Sequence, residues 1–190
     1  MYMHGAPYRH GAQSAEAGPF GLAVHRALPG GVMLGVLIPG GMLPGSGAMP
    51  APAEELQGLA GRIEGYLKDQ ATAAAFYREL RELTEHPTIR RCLTEAMEDE
   101  AKHYKLLQGL YRQLTGRSLE AAPGKESYAS LREGLIKAAD GEIQAYEAYK
   151  DEYQRFTDPA IRTLFFELFS DEIEHATRFN TALHILSGMG

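Results

Sequence analysis

A chain of 190 residues holds one domain by default, with room for a tail. Its formal net charge of −6 and pI of about 5.7 argue against nucleic acid or an anionic membrane as the main partner. The single cysteine, Cys92, rules out an internal disulfide and any Cys-x-x-Cys ribbon or rubredoxin-type centre within this sequence, and it fits a reducing, cytoplasmic setting.

Residues 1–52 differ in texture from everything after them. They carry three charges, Arg9, Glu16 and Arg26, among many Gly, Pro and Met residues, and Leu28-Pro-Gly-Gly recurs as Ile38-Pro-Gly-Gly. Gly and Pro at this density oppose both helix and strand. The longest apolar run falls far short of the ~18–20 residues of a membrane span. The apolar part also starts late and is interrupted, unlike a signal peptide. The segment therefore reads as a flexible, loosely draped tail. Its Leu, Ile, Val and Met content also suits a docking segment for a shell, coat or sister subunit.

From Pro52 onward, apolar residues recur at three and four. They run Leu56, Leu59, Ile63, Tyr66, Ala73, Tyr77, Leu80, then Ile89, Leu93, Met97, Leu107, Leu110, Leu114. The pattern resumes at Leu131, Leu135, Ala138, Ala145, Tyr149, Tyr153 and again at Ile161, Phe165, Leu168, Phe179, Leu183, Leu186. This period predicts four long amphipathic helices over 53–190, an all-α four-helix bundle. Pro87 and Pro159 suit first helical positions, and Asp158 is a good N-cap. The tight connections around His86 and Asp158 make two antiparallel hairpins. The stretch from Thr115 to Glu126 is the crossover that joins them.

The hairpins repeat each other. One constant shift along the chain places Gln70 on Glu142, Ala73 on Ala145, Tyr77 on Tyr149 and Pro87-x-Ile89-Arg90 on Pro159-x-Ile161-Arg162. The same shift places Asp99-Glu100 on Asp171-Glu172 and His103 on His175, without a gap. Such a match implies two copies of one helical hairpin.

Glu100 and His103 are three apart and share a helix face, as do Glu172 and His175. That face is the apolar one, because each pair interrupts an apolar stripe, and Glu142 interrupts the third stripe in the same way. Buried carboxylates without partners are very costly, and a metal cation relieves that cost. Carboxylates and imidazoles together suit iron, manganese or zinc. Asp99 and Asp171 are placed to hydrogen-bond a ligating imidazole. One Glu-x-x-His spacing is an everyday accident of exposed helix charge, whereas two at the same offset and mid-stripe point to a metal site.

These residues resemble the rubrerythrin and erythrin kind of ferritin-like protein, whose site takes one Glu from each of two helices and Glu-x-x-His from each of the other two. The likeness covers roughly residues 54–186. It implies a site for two iron or manganese ions, with Glu100 and Glu172 bridging, His103 and His175 each on one metal, and Glu142 terminal beside His175. The opposite terminal ligand falls on Gln70, a departure from the family pattern. Three carboxylates against two divalent cations leave one net positive charge at the site. A glutamine carbonyl ligates weakly, and Asp69 points about 100° away around the helix. The metal position beside Gln70 and His103 is thus expected to be the weaker, and three outcomes are open: an asymmetric dinuclear site, a single metal at Glu142 and His175, or a degenerate site kept for its fold.

Peroxidases of this family usually add a carboxylate at the position of Ala145, so its absence favours an oxidase or iron-handling role. Tyr77, Tyr149, Tyr146 and Tyr104 fall near the site by spacing and read first as core tyrosines with satisfied hydroxyls, with radical or electron-relay roles as the alternative. His184 reads as structural, Cys92 as a small core residue, and His4, His10 and His25 as too scattered for a second site.

The resemblance implies a protein that oxidises Fe²⁺ or consumes O₂ or peroxide, homo-oligomeric, without nucleic-acid or membrane partners. The contrasting reading is a non-catalytic structural or packaging protein whose tail docks it into a spore coat or compartment.

Overall fold

In the computed structural model, residues 51–188 are described in full, together with the backbone of two strands at 22–25 and 33–36. The bundle consists of α1 (Ala53–Arg81), α2 (Pro87–Thr115), α3 (Leu131–Arg155) and α4 (Pro159–Ser187). None of these helices is long and apolar enough to cross a membrane.

The helix ends follow local chemistry. Pro87 and Pro159 open α2 and α4, where a missing N–H has no intrahelical role. Asp158 accepts hydrogen bonds from the Ala160 and Ile161 amides. Ser130 caps α3 by accepting from Glu133, whose carboxylate accepts in turn from Ala129. α2 stops at Gly116, whose φ of 70° is open to glycine at little cost. One device appears at both tight turns. Arg90 donates to the carbonyls of Arg81 and Thr84, and Arg162, its counterpart in the second hairpin, donates to those of Tyr153 and Phe156.

Two apolar cores lie at opposite ends of the bundle. One gathers Leu59 and Ile63 of α1, Leu107 and Tyr111 of α2, Tyr149 of α3 and Phe165 of α4. The other gathers Tyr77 and Leu80 of α1, Leu93 of α2, Leu135 of α3 and Phe179 of α4. Hence α1 and α2 are antiparallel, α3 and α4 are antiparallel, and α2 and α3 run in the same direction. The crossover must therefore return along the whole bundle.

The crossover occupies 116–130 and runs further toward α3 than the sequence pattern suggested. Fully extended it reaches ~50 Å, enough for the ~43 Å length of a 29-residue helix. The additional residues are not loose, since Tyr128 lies 5.4 Å from the Phe76 ring, centroid to centroid. The crossover is tied to the first hairpin: Leu119 O accepts from Gln108, Ala121 N donates to the Tyr104 hydroxyl, and Gly124 N donates to Thr72 Oγ1.

The segment before the bundle departs from the expectation drawn from its Gly and Pro content. Within it, β1 (Leu22–His25) pairs antiparallel with β2 (Met33–Val36), Leu22 opposite Val36 and His25 opposite Met33. These two short strands contain no proline and a single glycine, so they escape the composition of their surroundings. The expected flexibility or docking role of residues 1–52, and His4 and His10, lie otherwise outside the described residues, as do Met189 and Gly190.

Candidate metal centre

Between the two apolar cores lies a polar layer. Each helix contributes to it at mid-length, where the period of 3.6 turns a polar side chain onto the inward face: Gln70 from α1, Glu100 and His103 from α2, Glu142 from α3, Glu172 and His175 from α4. All six are buried, none more than 3% exposed. The carboxylates of Glu100, Glu142 and Glu172 and a ring nitrogen of His175 each offer an atom within 4.8 Å of all the others. His103 stands beside this group rather than in it, with Nδ1 3.4 Å from both Glu100 Oε2 and Glu172 Oε1.

The imidazoles are oriented across the helix pair. His103 Nε2 on α2 donates to Asp171 Oδ2 on α4 at 3.0 Å, and His175 Nε2 on α4 donates to Asp99 Oδ2 on α2 at 3.2 Å. Each aspartate thus holds the histidine of the other Glu-x-x-His motif. In both rings the donation fixes Nδ1 as the atom facing the carboxylates. His175 Nδ1 lies 3.2, 3.3 and 3.5 Å from oxygens of Glu100, Glu172 and Glu142.

Two tyrosines, at equivalent positions of the two hairpins, flank the layer. Tyr77 donates to Glu142 Oε1 at 2.7 Å. Tyr149 instead accepts from Gln70 Nε2 at 3.0 Å, and the same amide lies 3.3 Å from Glu172 Oε1. Gln70 therefore turns N–H toward Glu172 and leaves its carbonyl oxygen without a partner.

That orphaned oxygen has company. Both oxygens of Glu100, Glu172 Oε2 and Nδ1 of both histidines are also buried without a hydrogen bond. Buried polar atoms are rarely left so, and all of these belong to the types that ligate hard and borderline cations. The donor set fits a metal ion.

The electrostatics agree. Burial opposes protonation of His103, but Asp171, Glu100 and Glu172 outweigh it and push its pKa up to about 11. His175 is raised well above its ordinary value in the same way, by Asp99, Glu100, Glu142 and Glu172 against burial. Burial raises Glu142 to about 8. The hydrogen bond from His175 is the main reason Asp99 falls below its ordinary value. Without a cation the cluster thus holds protons in its place.

Other sequence expectations fall elsewhere. Tyr104 serves the crossover, and Tyr146 packs against Phe169 at 5.9 Å with Lys150 over its ring, so neither hydroxyl joins the site. Ala145 packs on an apolar core, Asp69 is exposed, Cys92 is a buried free thiol and His184 is exposed near the end of α4. The side chain of His25 is outside the described residues.

Sequence reading missed Glu152, 1% exposed on α3. Arg62 of α1 binds it through Nε and also through Nη2 at 2.8 Å, and Tyr66 donates to it at 3.0 Å. Its only signal was a second carboxylate beyond Glu142, close to the inward face of the same helix.

Several known proteins resemble this chain at low sequence identity. A Bacillus subtilis (strain 168) protein, YhjR, itself uncharacterized, is 24% identical over 130 residues, covering 68% of this chain and 90% of its own. A hypothetical protein from Pyrococcus furiosus superposes with a TM-score of 0.61 at 20% identity, over 73% of this chain and 97% of that one. A bacterioferritin-related protein from Bacteroides fragilis, described as a dodecameric thioferritin, gives 0.58 at 16% identity, over 72% and 94%. The two structural likenesses show the ferritin-like fold. The sequence model of one family, Rubrerythrin, matches residues 69–183, more than half of the chain and every residue of the polar layer, and this protein belongs to that family.

Proposed function

We propose that this protein binds iron or manganese in the layer between its two cores and uses it to oxidise Fe²⁺ or to reduce O₂ or peroxide. The observation that carries this reading is the set of buried, unpartnered donor atoms on Glu100, Glu172, His103, His175 and Gln70. Glu100 and Glu172 would be shared between two ions, with His175 and Glu142 on one and His103 and Gln70 on the other. The bound metal would supply one-electron redox chemistry and an open coordination position for the oxidant.

The chain's own residues prepare the site. Asp99 and Asp171 keep the proton on Nε2, so that once the other proton leaves it is Nδ1 that binds. They also bring two carboxylates close to a centre with three of its own, which lessens but does not remove the positive charge left by Gln70. Tyr77 steadies Glu142. Metal binding must expel the protons held by the histidines and Glu142, so uptake releases acid. The recurrence of the Arg90 and Arg162 turns and of the two Asp–His pairs at one offset supports an origin of the two hairpins by duplication.

A second reading has its own support. The tight four-donor set excludes His103, and Gln70 presents N–H rather than oxygen toward Glu172. Both features suit one metal at Glu142 and His175 in a structural or packaging protein docked through its N-terminal segment, 1–52. A homo-oligomer is proposed in either case. The Bacteroides relative is dodecameric, and Ile136, Ile143, Phe166 and Ile173 on the second hairpin are 40–53% exposed. A cytoplasmic setting fits the one free thiol.

Metal content of the full chain, purified with iron and manganese supplied, tests the proposal together with Fe²⁺ oxidation. Two ions per chain with turnover supports the dinuclear enzyme, one ion without turnover the second reading, and none would overturn both.

A further inference from the structure

Position 152 offers an internal comparison. On the offset that relates the two hairpins, Glu152 corresponds to Leu80, Arg62 to Gly134 and Tyr66 to Ala138. At one end of the bundle these places hold a buried carboxylate, its arginine and a tyrosine. At the other they hold apolar packing so close that a Cβ on Gly134 would come within 2.2 Å of Leu80 Cδ2. The fold thus joins α1 to α3 without charge at one end and at the other buries a carboxylate against a partly exposed arginine, an arrangement that seldom adds stability over apolar packing.

The polar set is continuous with the site. The Tyr66 ring stands edge-on to Tyr149 with centroids 5.1 Å apart. The Tyr149 hydroxyl bonds Gln70, whose amide reaches Glu172. At the outer end Arg62 is 34% exposed. The corresponding Tyr77 meets Glu142 on one side and the rings of Phe179 and Phe76 on others, with no second tyrosine among its ring contacts within the described residues. Among the described residues, Tyr149 alone of the two flanking tyrosines is in direct ring contact with another oxidisable ring, whereas Phe76 stands between Tyr77 and Tyr128.

We infer that Tyr149 and Tyr66 form a route for single electrons between the polar layer and the surface at Arg62, with Glu152 as the proton acceptor of Tyr66. This rests on the metal reading above for its inner end. The oxidant is O₂ or a peroxide consumed at the layer, and the donor is a one-electron reductant at the surface. Oxidation of Tyr66 sends one electron inward through Tyr149. The hydroxyl proton passes along the 3.0 Å hydrogen bond to Glu152 Oε1, leaving a neutral tyrosyl radical and a carboxylic acid. One electron from the reductant, with the proton returned from Glu152, restores both. Reducing a peroxide to two waters takes two such electrons and two protons from solvent.

The test attaches a ruthenium polypyridyl photooxidant to the full chain through Gly61→Cys in a Cys92→Ala background. Gly61 has open space for a side chain and adjoins Arg62. Flash oxidation of metal-free protein is followed by transient absorption and EPR of the tyrosyl radical. Tyr66→Phe should lose the prompt radical, Tyr77→Phe should keep it, and Glu152→Gln should slow its formation and change its solvent isotope effect. Bound Fe²⁺ should shorten the radical's lifetime, and Tyr149→Phe should remove that shortening. A prompt radical that survives Tyr66→Phe, or a lifetime indifferent to bound Fe²⁺, overturns the inference. Failure to bind Fe²⁺ would count against the metal reading instead and leave the metal-free comparison to decide the Tyr66 step. Should Tyr66→Phe not fold, the Glu152→Gln kinetics decide the same step.

Discussion

His103 on α2 donates from Nε2 to Asp171 on α4 at 3.0 Å, so the carboxylate that orients this imidazole belongs to the opposite helix. The reciprocal pair, His175 with Asp99, makes the two Glu-x-x-His helices depend on each other. An aspartate lost from one motif should therefore damage the half-site that uses the other motif's histidine. Asp171→Ala is expected to weaken metal binding beside His103 by about 10–100-fold, with Asp99→Ala doing so beside His175. Metal titration of each variant, with stoichiometry measured alongside affinity, checks this.

Gln70→Glu should strengthen the site. It supplies the fourth carboxylate, removes the residual positive charge and places an ionisable oxygen where an amide now faces Glu172. Occupancy beside His103 should rise, and Fe²⁺ oxidation, if slow in the native protein, should speed up. A variant that binds no more metal and oxidises no faster would favour the structural reading.

Metal uptake should depend on pH. In the metal-free fold Glu142 is raised to about 8 and His103 to about 11, both above their ordinary values of 4.5 and 6.5. A raised pKa means that the protonated form is favoured on folding. The Glu142 contribution is full below pH 4.5 and fades as pH climbs through about 8, and the His103 contribution fades from 6.5 through about 11. Metal-free protein should accordingly lose thermal stability as pH rises from about 5 toward about 8, by these groups alone. Metal affinity should increase over the same window, because fewer protons have to leave. Parallel melting curves with and without Mn²⁺ measure both trends.

Removing one member of the Arg62–Glu152 pair should be harmful, and removing both should be mild. Arg62→Ala strands the buried Glu152 carboxylate, with Arg155 3.6 Å away as partial compensation, so a loss of about 3 kcal/mol is expected, at the low end for a buried pair. Arg62→Ala with Glu152→Leu imitates the Gly134 and Leu80 end and should lie within about 1 kcal/mol of the native chain. Denaturant unfolding of the three proteins gives the comparison.

Phe166→Asp should break self-association while leaving the helices and the polar layer intact. Phe166 is 53% exposed, yet it packs edge-on to Phe169 and tilted against Tyr153 in an aromatic cluster on the second hairpin. Sedimentation of native and variant chains, with helicity as the control, is the measurement.

Helical period, the constant offset between the hairpins and the inward placement of Glu100, His103, Glu142, Glu172, His175 and Gln70 were all readable from the sequence. Spacing along one helix fixes which face and which level a side chain occupies, and burying that face is what makes the bundle fold. The pairing between helices was not readable. Spacing alone did not say that Asp171 serves His103, that the Gln70 amide would turn toward Tyr149 and Glu172, or that Arg62 would meet Glu152 from a distant part of the chain. Tyr104 and Tyr146 have spacings as suitable as those of Tyr77 and Tyr149, yet they turn to the crossover and to Phe169. Rotation of each helix about its axis and its height against its neighbours are set by how side chains of all four interlock. Those few ångströms and degrees, decided only by tertiary packing, turn a list of inward polar residues into a particular arrangement of donors.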